Sequence, residues 1–116
     1  MRLLTHNSLR CNRKDATTGF PLKIHAERVE VRHTPCNRDF IIDLVPTLNW
    51  EALRKAALEI GVDSLPDQCS AELLQDSQFM LALHHVLMDV HVIEGALECE
   101  ETGQRFPVHN GITNML

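Results

Sequence analysis

Two stretches in which apolar and polar residues alternate stand towards opposite ends of the chain, with a segment of helical period between them. Phe20 to His33 sets Leu22, Ile24, Val29 and Val31 among polar positions. Val92 to Cys99 leads through the turn signal Glu100-Glu101-Thr102-Gly103 into Gln104 to Val108. A period of two marks strands with one buried face. The first stretch predicts two strands around a turn near Ala26-Glu27, and the second a hairpin whose turn residues tolerate tight backbone angles. His109-Asn110-Gly111 turns again, and Ile112 to Leu116 forms a last extended piece. Strands this far apart in sequence hide their apolar faces by meeting in one sheet, with the helices packed beside it. That is an α+β fold.

The middle predicts three helices. Asn37 to Val45 spaces Phe40, Ile41, Leu44 and Val45 for one face and ends at Pro46, which cannot continue the hydrogen-bond ladder. Asn49 is a good N-cap for a second helix that shows Trp50, Leu53, Ala57 and Ile60 on one side, with Gly61 in place as its C-cap. The third begins at Ser70 or Ser77 and runs to Val90, with Phe79, Leu83, Val86, Leu87 and Val90 as its buried stripe. Met1 to Arg10 is too short for periodicity to decide between helix and strand. The division that follows is a β unit of residues 1–36 and 91–116 around a helical insert, 37–90.

Composition excludes several functions. A net charge of −5 argues against a chain that grips a phosphate backbone unaided, since such binding works by Lys and Arg displacing counterions. One Trp, four Phe and no Tyr leave little with which to stack bases. No stretch approaches the roughly 20 apolar residues needed to cross a bilayer, and Met1 to Asn7 is interrupted too soon for a signal peptide. The expected location is the cytoplasm and nucleus, where Cys11, Cys36, Cys69 and Cys99 stay reduced.

No catalytic constellation stands out. There is no nucleophile elbow, P-loop or dinucleotide-binding glycine motif. A structural zinc site usually needs two close ligand pairs. Cys11 has no second cysteine within five residues, and Thr102 stands where Cys99 would need a partner, so no metal is expected there. His84 and His85 are adjacent on a helix and point about 100° apart, which keeps them from chelating one ion together. His85 and Asp89, at i and i+4, read as a structural pair. The tail from Phe106 to Leu116 is unusually apolar for a chain end, and strand residues such as Ile112, Met115 and Leu116 need cover from this domain or another chain.

Leu3-Leu4-Thr5-His6-Asn7, Gly19-Phe20-Pro21-Leu22, Val92 to Cys99, Gly103, Phe106-Pro107 and Gly111-Ile112-Thr113-Asn114-Met115-Leu116 together resemble the eukaryotic multifunctional methyltransferase subunit family. The resemblance implies a zinc-ribbon-like β domain made of both termini, with a helical insert. It implies a non-catalytic activator that forms heterodimers with Rossmann-fold methyltransferases acting on tRNA, rRNA and translation release factor. S-adenosylmethionine would be bound by the partner, this chain would carry no cofactor, and RNA would be met only indirectly. The implied partner-binding residues are Thr5, His6 and Asn7 with Val108, Gly111, Ile112, Thr113, Asn114 and Met115. Members with zinc carry two cysteine pairs. Cys11 and Cys99 match one of each, a residual half-site, while Ala16 and Thr102 replace the others, and Thr113 stands in place of the usual Pro of the tail. The competing reading is a stand-alone ribbon-like module that binds RNA directly.

Overall fold

The computed structural model of the chain describes residues 1–9 and 20–115. Leu3–His6 forms one short helical turn, α1, which answers what periodicity left open. Leu3 is fully buried there.

Lys23–Val31 is a single strand, β1. The break in alternation near Ala26 and Glu27 is a β-bulge, with shifts of register between Ala26 and Arg28 and between Arg28 and Val29, and not the expected turn. A bulge and a turn both interrupt period two, but only the turn reverses the chain. β1 runs antiparallel to Val90–Glu98, β2, from Lys23 opposite Glu98 to Val31 opposite Val90. Gly95, opposite Ala26, is required by this arrangement. A Cβ placed on it would lie 2.2 Å from the His25 carbonyl oxygen.

The helices between them follow their caps. In Arg38–Leu44, α2, the Asn37 side chain accepts the Phe40 N–H at 3.1 Å. Pro46 does not stop the chain from turning; it sits in a 3₁₀ turn, Val45–Thr47, that follows directly. Trp50–Glu59, α3, is capped by Asn49 and closed at Gly61, whose φ of +85° suits glycine. There Val62 N–H bonds Ala57 O at 2.8 Å and Gly61 N–H bonds Leu58 O at 3.1 Å, satisfying carbonyls of the last turn. Ser77–His84, α4, starts at Asp76, which accepts from Gln78 and Phe79. Its continuation, His85–Asp89, widens to a π turn before entering β2.

β2 is central. Beyond it lie Arg105–His109, β3, and the two-residue Ile112–Thr113, β4, in the order β1-β2-β3-β4, all antiparallel. Asn110 and Gly111 both have positive φ, 54° and 78°, the tight hairpin turn that matches strand twist. The result is the expected α+β arrangement. One apolar cluster joins sheet to helices: Leu22, Ile24, Val92, Leu97, Phe106 and Val108 meet Ile41, Leu53, Leu83 and Leu87.

Candidate functional site

β3 pairs with β2 only from Gly95 to Glu98, so the earlier half of β2 needs another neighbour on that side. Residues 1 and 2 take that place. Met1 O accepts Val92 N–H at 2.8 Å, and Arg2 bridges His91. The Met1 amino nitrogen donates to Val92 O at 2.7 Å and to Gly111 O at 2.9 Å, and Gly111 N–H donates to Ile93 O at 2.9 Å. Thr113 Oγ1 lies 3.3 Å from Met1 Sδ. The start of the chain is thus stitched to the β3–β4 turn. Glu94 secures the same turn by accepting the Asn110 N–H and the His109 ring at 3.0 Å each. The Asn110 amide, with help from His109, holds the Glu94 carboxyl below its ordinary range.

Of the residues that the resemblance assigns to partner binding, Gly111 and Thr113 are brought against Met1. Asn114 is exposed and donates its N–H to Pro107 O at 2.9 Å. Ile112 is 71% exposed, the most open large aliphatic side chain among the described residues. Met115 packs partly against the core, and Val108 is buried within it.

Thr5 and Asn7 lie elsewhere. With Leu4, Ser8, Phe20 and Leu48 they line a surface cavity of about 590 Å³, whose described walls hold no residue of the C-terminal segment. His6 faces inward, buried, with its Nε2 2.7 Å from Leu22 O. Burial pushes its pKa down, and the bond to Leu22 opposes this only in part. A neutral ring that donates from Nε2 follows.

Cys99 is a buried thiol, and Thr102 accepts the Gln104 N–H at 3.2 Å. Cys11 and Ala16, the other half of the residual cysteine site, lie outside the described residues, as does Leu116.

The alternation placed Val29 and Val31 with Leu22 and Ile24 on a buried strand face, but beyond the bulge they are 38% and 50% exposed on β1 at the opposite edge of the sheet. Their apolar alternation within an otherwise charged run, Arg28-Val29-Glu30-Val31-Arg32, was the available signal. Edge strands that offer apolar side chains and unpaired backbone groups invite pairing with another chain.

The family model of the Trm112p-like protein matches residues 2–111. The multifunctional methyltransferase subunit TRM112 homolog A of Arabidopsis thaliana is 46% identical over 118 residues, covering 100% of this chain and 95% of that protein. The TRM112-like subunit of Bos taurus is 39% identical, with 100% and 94% covered, and the Saccharomyces cerevisiae subunit is 30% identical, with 100% and 96% covered. Among solved structures, a chain of the E. cuniculi Mtq2–Trm112 complex superposes with a TM-score of 0.63 at 17% identity, over 100% of this chain and 95% of that one. At that identity the likeness speaks for the fold.

Proposed function

The chain belongs to the Trm112p-like family, and from that membership we infer that it is a non-catalytic subunit which binds, stabilises and activates S-adenosylmethionine-dependent methyltransferases. The observation that carries this reading is a full-length match, 46% identical, to a protein named as a multifunctional methyltransferase subunit. The same designation recurs in plant, animal and fungal relatives. The catalytic partner holds S-adenosylmethionine, and its substrates are tRNA, rRNA or translation release factor. This chain contributes apolar cover and open strand edges, through which mutual burial keeps the catalytic chain soluble.

The site supports an interaction role more than a chemical one. Its polar groups are spent on holding the fold: Asn110 and His109 on Glu94, His6 on Leu22, Gly111 on Met1 and Ile93. Ile112, an aliphatic side chain, is the most open large apolar group that faces outward there, beside the polar Asn114. We assign the interface to the edge formed by the β3–β4 turn and Ile112 to Met115, and Thr5 and Asn7, on their separate cavity, to a second contact region.

Co-expression with a methyltransferase from the same organism tests the reading. The expected outcome is a stoichiometric heterodimer that binds S-adenosylmethionine, while the purified chain alone binds neither S-adenosylmethionine nor RNA at physiological salt. Tight RNA binding by the isolated chain, without a methyltransferase complex, would favour the RNA-binding module instead.

A further inference from the structure

Where the chain leaves β1, residues 32–34 run against the π turn. Arg32 N–H donates to Asp89 O at 2.8 Å. Thr34 donates twice to one carboxylate oxygen of Asp89: its hydroxyl reaches Oδ1 at 2.8 Å and its N–H at 3.1 Å. His84 Nε2 lies 3.3 Å from the same oxygen and 3.0 Å from both oxygens of Thr34. Asp89 is buried, so these contacts fix the plane of its carboxylate.

The other oxygen, Oδ2, is turned towards two imidazoles. His85 Nδ1 lies 3.4 Å from it and His33 Nδ1 3.7 Å. The two rings stack, with centroids 6.0 Å apart and planes inclined by 29°. All three ligand atoms fall within 4.8 Å of one another.

We propose that His33, His85 and Asp89 form a binding site for a divalent transition metal of the zinc type. Both separations from Oδ2 exceed the N–H···O range of about 2.7–3.2 Å. Metal–ligand bonds of about 2.0–2.2 Å at tetrahedral angles place neighbouring ligand atoms roughly 3.3–3.6 Å apart. The two separations from Oδ2 match that spacing closely, and rotation of the accessible imidazoles brings the third, which lies within 4.8 Å, to it. Two imidazole nitrogens and one carboxylate oxygen are a donor set that such ions take.

The surroundings have the form of an outer shell. A ligating carboxylate is commonly oriented by hydrogen bonds to its free oxygen, and Thr34 supplies two of them through its hydroxyl and its N–H. Burial pushes the Asp89 carboxyl up, but the Thr34 bonds and the neighbouring histidines outweigh it and hold it below its ordinary value. The His33 side chain is exposed and that of His85 partly so, which leaves the ion reachable and its fourth position open outward to water or to a docked chain. Bound there, the ion ties the exit of β1 to the π turn. The site is independent of the cysteine half-site, because it uses no thiol.

The test uses the full chain, stripped with chelator and titrated with Zn²⁺ by calorimetry and with Co²⁺ by absorption. The variants are His33→Ala, His85→Ala and the double variant. Both positions are solvent-accessible, so circular dichroism should show all three folded; Asp89→Asn adds the third ligand if it folds. Each single histidine variant should bind at least about 10-fold more weakly. The double variant should bind one equivalent fewer than the unaltered chain, and the lost Co²⁺ equivalent should give visible d–d bands without sulfur charge transfer. No saturable binding by the unaltered chain, or equal stoichiometry and affinity in the double variant, would overturn the proposal.

Discussion

Asn7 and Asn49 clasp each other across the fold. Asn7 Nδ2 donates to Asn49 O at 2.9 Å, and Asn7 Oδ1 accepts Asn49 N–H at 2.9 Å. Asn49 meanwhile caps α3 by accepting the Ala52 N–H at 3.0 Å. One side chain from the N-terminal segment therefore sets the entry of the helix on which Leu53, Ala56 and Ala57 are buried.

Asn7→Ala should consequently lower stability by about 1–3 kcal/mol, because the partly buried bonds of the buried Asn7 side chain to both Asn49 main-chain groups are lost. Asn7→Asp keeps the acceptor and should recover part of the loss. Urea denaturation of the purified chain measures both. A loss of partner binding in Asn7→Ala without a loss of stability would instead make Asn7 a direct contact.

His6 gives the chain a pH dependence of definite sign. Its ring is buried, and Nδ1 has no hydrogen-bond partner among the described residues. Burial lowers its folded-state pKa, against the smaller raising effect of the Leu22 carbonyl. A folded pKa below the unfolded value means that the unfolded chain takes up more protons, so stability is complete above about 6.5 and declines as pH falls below it. His91 is lowered too, chiefly by burial, and acts in the same direction. Melting temperature should fall between about pH 7 and pH 5. His6→Gln keeps a donor for Leu22 O and removes one titration, so its profile should be flatter though not level. Equal slopes would place the acid sensitivity elsewhere.

The α+β class, the cap at Asn49, the glycine at position 61 and the stripe from Phe79 to Val90 were legible because each follows from local rules of periodicity and capping. The bulge in β1 was not, since it depends on Gly95 accepting the close approach of His25 from a strand some seventy residues earlier. The π turn was hidden for a related reason. It keeps a helical pattern of apolar residues and only widens the backbone around them. The histidine and carboxylate cluster was half legible. His85 and Asp89 are visible as neighbours on one helix face, but His33 joins them through the pairing of β1 with β2. The placement of His6 and Val108 in the interior likewise depends on tertiary packing that a motif cannot convey.

Exposure decides which residue tests the proposed interface cleanly. Replacing Val108 or Met115 by a charged residue disturbs the core against which each packs. Ile112 is 71% exposed and lies in the two-residue β4, held in register through His109 opposite it. Ile112→Asp should therefore leave stability within about 0.5 kcal/mol, as for surface substitutions generally. If Ile112 enters an apolar pocket of a methyltransferase, burying a carboxylate there should cost about 2 kcal/mol or more, roughly a 30-fold loss of affinity. Co-purification and methyl transfer should fall together while the melting temperature stays constant. Normal binding by Ile112→Asp would shift the interface to the other apolar edge, where Val29→Asp and Val31→Asp become the discriminating variants, since these side chains are also partly exposed and lie on an edge strand of the sheet among the described residues.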